Sequence, residues 1–236
     1  MPSTTQFGLP LLAAAQAQKH VTVNEALSRL DAAAQLRVVS SNLTTPPGSP
    51  VEGAAYLVPA GATGAWASQP GQIAVSVNGA WVFLAPRAGW RLWDEAAPDW
   101  YMFDGVAWQR GALVVSAGGA GTSVRVIEID HTLSSGSTDT VSAAIPAFAQ
   151  VTGVTGRVIS AIGGASAWSI GVPSDTVRYG QGLGTGLNSF LTGLSGTPVT
   201  YYATTDLVLT ASGGDFTGGS IRIAVHVTEL SPPRAV

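Results

Sequence analysis

Residues 220–229 read SIRIAVHVTE. Ile221, Ile223, Val225 and Val227 alternate with Arg222, Ala224, His226 and Thr228, which is the period of a strand with one face in a core and the other in water. Working outward, similar short runs appear upstream: SVRVIEID (123–130), VTGVTGRVISA (151–161), ASAWSIGV (165–172), VTYYAT (199–204) and DLVLTAS (206–212). Glycine-rich turns separate them and no long helical pattern intervenes. Short strands at this spacing predict an antiparallel sandwich of jelly-roll type over residues 116–236. GGAG at 118–121 reads as a flexible lead-in to it.

Composition supports a mainly β chain. The 236 residues include 29 glycines and 14 prolines, the signature of many turns. Only 11% of residues are charged, the net charge is -3, and no basic stripe exists, which argues against nucleic acid as a partner. Cysteine is absent, so neither disulfides nor thiolate metal sites are available. No apolar run reaches the length of a membrane helix. FGLPLLAAAQA (7–17) has no basic segment before it and is followed by polar QAQKH, so no export signal is read and synthesis in a bacterial cytoplasm is expected.

Before the sandwich the chain divides into two further parts. Residues 1–45 hold a helix and a linker. In TVNEALSRLDAAAQLRVVS (22–40), Thr22 and Glu25 have capping-box spacing, and Val23, Leu27, Leu30, Ala34 and Val38 form one apolar stripe. That stripe needs a partner, either the chain's own β domain or the same helix of another subunit. SSNLTTPPGSPVEG (40–53) reads as a linker or extended arm. Its NLT sequon carries no meaning without a secretory signal.

Residues 46–115 hold six of the seven tryptophans. GAAYLVPAGATGAWAS (53–68), GQIAVSVNGAWVFLAP (71–86) and DWYMFDGVAWQRG (99–111) each read as a hairpin with a tryptophan just past the turn. Asn78-Gly79 and Asp104-Gly105 are strong turn signals, because these residues tolerate positive φ. Small hairpins need large side chains to fill a core, so Trp66, Trp81 and Trp108 are expected there. Trp90, Trp93 and Trp100 fall outside that rhythm, and one of them is expected to be exposed.

Several of these stretches are familiar as a set. LPLLAAAQAQKHVTVNEALSRLDA, TPPGSPVEGAAYLVPAGATGAWA, GQIAVSVNGAWVFLAPRAGW and DGVAW, over residues 6 to 111, resemble a domain of uncharacterised function found in prophage tail-fibre proteins and in gene transfer agents of alphaproteobacteria. AWSIGV, RYGQGLG, TDLVLTA and GGDFTGGSIRIAVH resemble the segment that follows this domain in shorter members. Taken together the chain is similar to the head-spike proteins of gene transfer agents. The resemblance implies a virion-surface component that attaches to a capsid vertex or fibre and binds the capsular polysaccharide of a recipient cell. A purely structural adaptor, joining a capsid or tail to a separate fibre, is the alternative. A homo-oligomer is expected, a trimer first and a pentamer second, since repeated weak sites gain avidity.

Little points to an enzyme. There is no G-x-S-x-G elbow, and His20, His131 and His226 lie in three unrelated contexts. No metal or cofactor motif is present. Glu128 and Asp130 share a strand face and could act as a carboxylate pair, but a solvated strand edge is the better reading. YGQGLGTGLNS (179–189) lacks the spacing of a phosphate loop and reads as a long surface loop. Sugars are held by aromatic faces with polar neighbours. Trp168 shares a face with Ile170 and Val172 and is expected in the core. The candidate glycan residues are therefore Asp175, Arg178, Tyr179, Gln181 and Asn188 beside the glycine-rich loop, with Tyr201 and Tyr202. Adjacent on a strand, the two tyrosines point to opposite faces, and one is expected to be exposed. Asp175 and Arg178 have a second reading, as a simple pair across a turn.

Overall fold

A computed structural model describes residues 3–12 and 19–235. Residues 13–18 of the early apolar run, and the side chains of His20 and Thr22, lie outside the described residues. The chain forms two compact units, Met1–Gly121 with Pro233–Val236, and Thr122–Pro232. Among the described residues no helix is long and apolar enough to cross a membrane.

The first unit begins with α1 (Lys19–Ala34). Thr22 therefore lies inside the helix rather than capping it, and Glu25 pairs with Arg29 one turn on, at 2.7 Å. The predicted stripe is not the buried face. Leu30 is 57% exposed and Val23 40%, whereas Asp31, Ala32 and Leu36 are buried. The cause is Asp31, whose carboxylate accepts from Thr4 Oγ1 and from the backbone N–H groups of Gln6 and Phe7. These bonds tie the N-terminal segment to that side of the helix. The helix stops before Val38, which is fully buried in β1 (Arg37–Val38), paired in parallel with the segment Arg91–Asp94.

Eight short strands follow the hairpin plan in part. β2 (Ala55–Leu57), β3 (Ile73–Val77) and β4 (Ala80–Leu84) form one antiparallel sheet. β5 (Arg91–Asp94), β6 (Asp99–Phe103) and β7 (Trp108–Arg110) form another, with β1 added in parallel at its edge. β8 (Ala112–Val115) follows. Asn78 and Gly79 both have positive φ, as a type I′ turn requires, and they join β3 to β4. Asp104 makes the β6–β7 turn by accepting from the N–H groups of Val106 and Ala107.

The first expected hairpin is not one. β2 pairs with β3, and between them Gly64–Trp66 forms a single 3-10 turn. This turn drops Trp66 into a small aromatic core with Tyr56 and Trp81 (ring centroids 5.2 and 5.1 Å). Trp66 is fully buried, while Trp81 and Trp108 are half-buried and pack onto their cores from the edge. GGAG is an ordered turn rather than a slack lead-in. Gly119 takes positive φ, and Ser116 and Ala120 close the turn with a backbone bond of 2.8 Å.

The second unit is a jelly roll. Its strands are β9 (Gly121–Thr132), β10 (Thr138–Ile145), β11 (Ala149–Gly163), β12 (Ala167–Val172), β13 (Asp175–Leu183), β14 (Phe190–Tyr201), β15 (Thr205–Ser212) and β16 (Gly218–Ser231). One sheet has the order β14-β11-β16-β9 and the other β10-β15-β12-β13. The first, eighth, third and sixth strands thus face the second, seventh, fourth and fifth, which is the connectivity of two nested Greek keys. Ile221, Ile223, Val225 and Val227 are all buried, as the alternation predicts. They pack with Leu207, Leu209 and Ile170. Each fully buried side chain of this size contributes about 1.5–3 kcal/mol.

The sheets meet at one side through glycine. A Cβ on Gly193 of β14 would collide with the Tyr179 carbonyl of β13. The chain starts β9 and finishes β16 at the end of the sandwich that carries loops 146–148, 173–174 and 202–204. Loops 133–137, 164–166, 184–189 and 213–217 occupy the opposite end.

Candidate functional site

The jelly roll separates the predicted site residues. Asp175, Arg178, Tyr201 and Tyr202 lie toward the end where the chain begins and leaves the sandwich. Gln181 lies exposed along β13, which runs to Leu183 and claims much of the expected loop. Only residues 184–189 remain irregular between β13 and β14. Asn188, at positive φ, sits in that loop at the opposite end, where its N–H bonds Val158 O. One site cannot include all seven residues.

Tyr179, expected at the surface, is instead a core residue. It is 3% exposed, and its ring belongs to the sandwich core. The Tyr179 and Tyr201 hydroxyls are 2.8 Å apart, and burial with this hydrogen bond pushes the Tyr179 pKa up. Position 179 falls inward because the strand continues into the glycine-rich stretch, paired with β12 through two register shifts. Arg178 is structural in part: its guanidinium donates to Thr197 O at 3.1 Å and reaches Ser195 Oγ at 3.5 Å. Asp175 approaches it only to 4.0 Å. Trp168 is in the core, 2% exposed, with its indole N–H donating to Gly184 O at 2.9 Å.

Tyr202 is the exposed tyrosine, at 76%. It meets Phe148, which is 70% exposed, edge to face with centroids 6.3 Å apart. Phe148 has φ +64, a conformation that costs a bulky residue on the order of 1–3 kcal/mol. Its N–H bonds Tyr201 O at 2.6 Å, which locks the two loops together. Residue 148 was readable as a lone aromatic in a proline-containing loop, AIPAFAQ, but nothing local shows that it lands against residue 202.

A second exposed aromatic lies on the outer face of the β14-β11-β16-β9 sheet. Phe190 is 68% exposed, with the Arg157 guanidinium 5.6 Å from its ring centre. Register carries the row from Phe190 to Arg157 and on to Arg222. Arg222 holds Asp130 with two bonds of 2.7 Å and lies 3.6 Å from Glu128. The hydrogen bond from Arg222 keeps the Asp130 carboxyl below its usual range, opposite to what an acid catalyst requires. Among the described residues no three His, Asp or Glu side chains converge as a metal site would need.

Residues 23–109 match the family described as a protein of unknown function, DUF2793. Of solved structures, a chain of the cyanophage Pam1 capsid asymmetric unit is similar over 51% of this chain and 94% of its own, at 19% identity and a TM-score of 0.37. No curated protein matches the sequence.

Proposed function

We propose that this chain is a non-enzymatic surface component of a phage-like particle, a head spike of the gene-transfer-agent type, whose jelly roll binds the capsular polysaccharide of a recipient cell. The exposed Phe148–Tyr202 pair carries this reading. Two exposed aromatic rings meet edge to face, Phe148 on backbone of positive φ, and neither belongs to the sandwich core; such faces suit the C–H surfaces of sugars. Arg178 and Asp175 lie toward the same end of the sandwich, with polar groups for hydroxyl recognition. The motif order over residues 6 to 111 supports the virion context. A single shallow pair binds weakly, so the spike acts as a homo-oligomer, a trimer or else a pentamer at a vertex, gaining avidity on a repeating polymer.

Adsorption of the purified protein to encapsulated cells tests the reading. Tyr202→Ala with Phe148→Ala should abolish it while melting stays unchanged. Undiminished adsorption of that variant refutes the site. Wild-type protein that joins particles yet binds no capsule favours the adaptor. A monomeric mass by light scattering at micromolar concentration removes the avidity argument. Deleting residues 1 to 40 should leave a soluble jelly roll that no longer joins particles.

A further inference from the structure

The three tryptophans that stand outside the hairpin rhythm converge on an open pocket of about 480 Å³ in the first unit. Trp90, Trp93 and Trp100 line it together with Gln35, Arg37 and Arg91. The arrangement follows from sheet geometry. Along β5, Leu92 and Asp94 are fully buried, so Arg91 and Trp93 must face the other way. Register then sets Arg37 beside Trp93 through the parallel β1–β5 pair, and Trp93 opposite Trp100 through β5–β6. One row of three strands thus reads arginine, tryptophan, tryptophan. The two indoles pack at 5.3 Å and 63°. Trp100 nevertheless remains 52% exposed.

The pocket has polar capacity left over. Among the described residues, the indole N–H groups of Trp90, Trp93 and Trp100 make no hydrogen bond. Arg91 makes one, to Leu113 O at a long 3.3 Å. Arg37 is bridged to Glu95 at 2.6 Å, outside the lining. With Arg37 paired to Glu95, Arg91 is the guanidinium of the pocket that has no carboxylate partner among the described residues, and no carboxylate lines the pocket, so its charge complements an anion. Indole faces beside amide and guanidinium donors match a pyranose ring, and the volume lies in the range of small-ligand sites. We infer that this pocket binds an acidic saccharide, a hexuronic acid unit with its ring against Trp93 and Trp100 and its carboxylate toward Arg91. The inference stands apart from the jelly-roll site and does not rest on it.

Tryptophan fluorescence of the full chain, titrated with trigalacturonate and with neutral maltotriose, decides the matter. Trigalacturonate should give a saturable change and maltotriose a much weaker one. Trp100→Ala should weaken uronate binding by at least about tenfold, and Arg91→Gln by about tenfold without altering the response to maltotriose. Circular dichroism checks the fold of each variant, and Trp100→Phe replaces Trp100→Ala if the latter does not fold, with weakened binding again expected. Absence of saturable uronate binding up to millimolar concentration overturns the proposal, as does equal affinity for both sugars. Loss of particle incorporation by Trp100→Ala, with no sugar bound by the wild type, identifies a protein occupant and also overturns it. The Phe148→Ala, Tyr202→Ala variant should keep full uronate binding, which separates failure of this site from failure of the capsule reading.

Discussion

Trp66→Ala tests the core of the first unit most directly. The side chain is fully buried, and its ring touches Tyr56 and Trp81 at 5.2 and 5.1 Å. Truncating a buried aromatic costs about 3–5 kcal/mol, and losing two ring contacts places this site in the upper half of that range. The unit contains about 125 residues. At about 2.1 cal/mol/K per residue its unfolding entropy is about 0.26 kcal/mol/K, so a loss of ~4 kcal/mol lowers its Tm by about 15 °C. Differential scanning calorimetry measures this, with Trp100→Ala as the internal comparison. Being half exposed, Trp100 should cost no more than about 1 kcal/mol. Similar shifts for both variants would refute the division between core tryptophans and pocket tryptophans. A Trp66→Ala shift below about 5 °C would show that the aromatic core is not what holds the unit together.

Three further outcomes are expected. Asp31 is desolvated, which raises its pKa, but bonds from the Gln6 N–H, the Thr4 hydroxyl and the Phe7 N–H outweigh this and hold it below the usual value. A lowered folded-state pKa contributes stability above the unfolded value near 3.9 that is lost as pH falls through the folded one. Asp31→Asn should therefore destabilise at pH 7, by about 1.5–3 kcal/mol in a urea titration, and make little difference at pH 2. Equal destabilisation at both pH values would contradict the assignment. Gly193→Ala should cost the jelly roll more than about 3 kcal/mol, since the new methyl meets backbone on two sides; soluble protein with wild-type melting would show that the sheets can part there. Phe148→Gly relieves positive φ, so its Tm should hold or rise while adsorption to capsule falls. A lowered Tm would place Phe148 in the fold rather than in recognition.

Strands β9, β11, β12, β15 and β16 of the jelly roll were legible because their information is local, whereas β10, β13 and most of β14 were not read as strands. Ile221, Ile223, Val225 and Val227 needed only a period of two to declare one buried face, and Asn78-Gly79 needed only its tolerance of positive φ to declare a turn. β14 ends at Tyr201 and Tyr202 lies in the loop that follows, so strand alternation does not apply to the two; that one of them faces water was legible, but not which one. That depended on the side of β14 that meets the core, where Tyr201 joins Tyr179. Tyr179 itself was misplaced because glycines at 180, 182 and 184 signal a loop locally, while pairing with β12 keeps the segment extended. The helix shows the same limit. Its apolar stripe was visible, but the face chosen for burial was set by Asp31 reaching residues more than 20 positions away. Both candidate sites are products of tertiary structure in this sense. Arg37 meets Trp93, and Phe148 meets Tyr202, across more than 50 residues of chain, and no local period encodes such a meeting. It is fixed by strand register, which the packing of the whole unit selects.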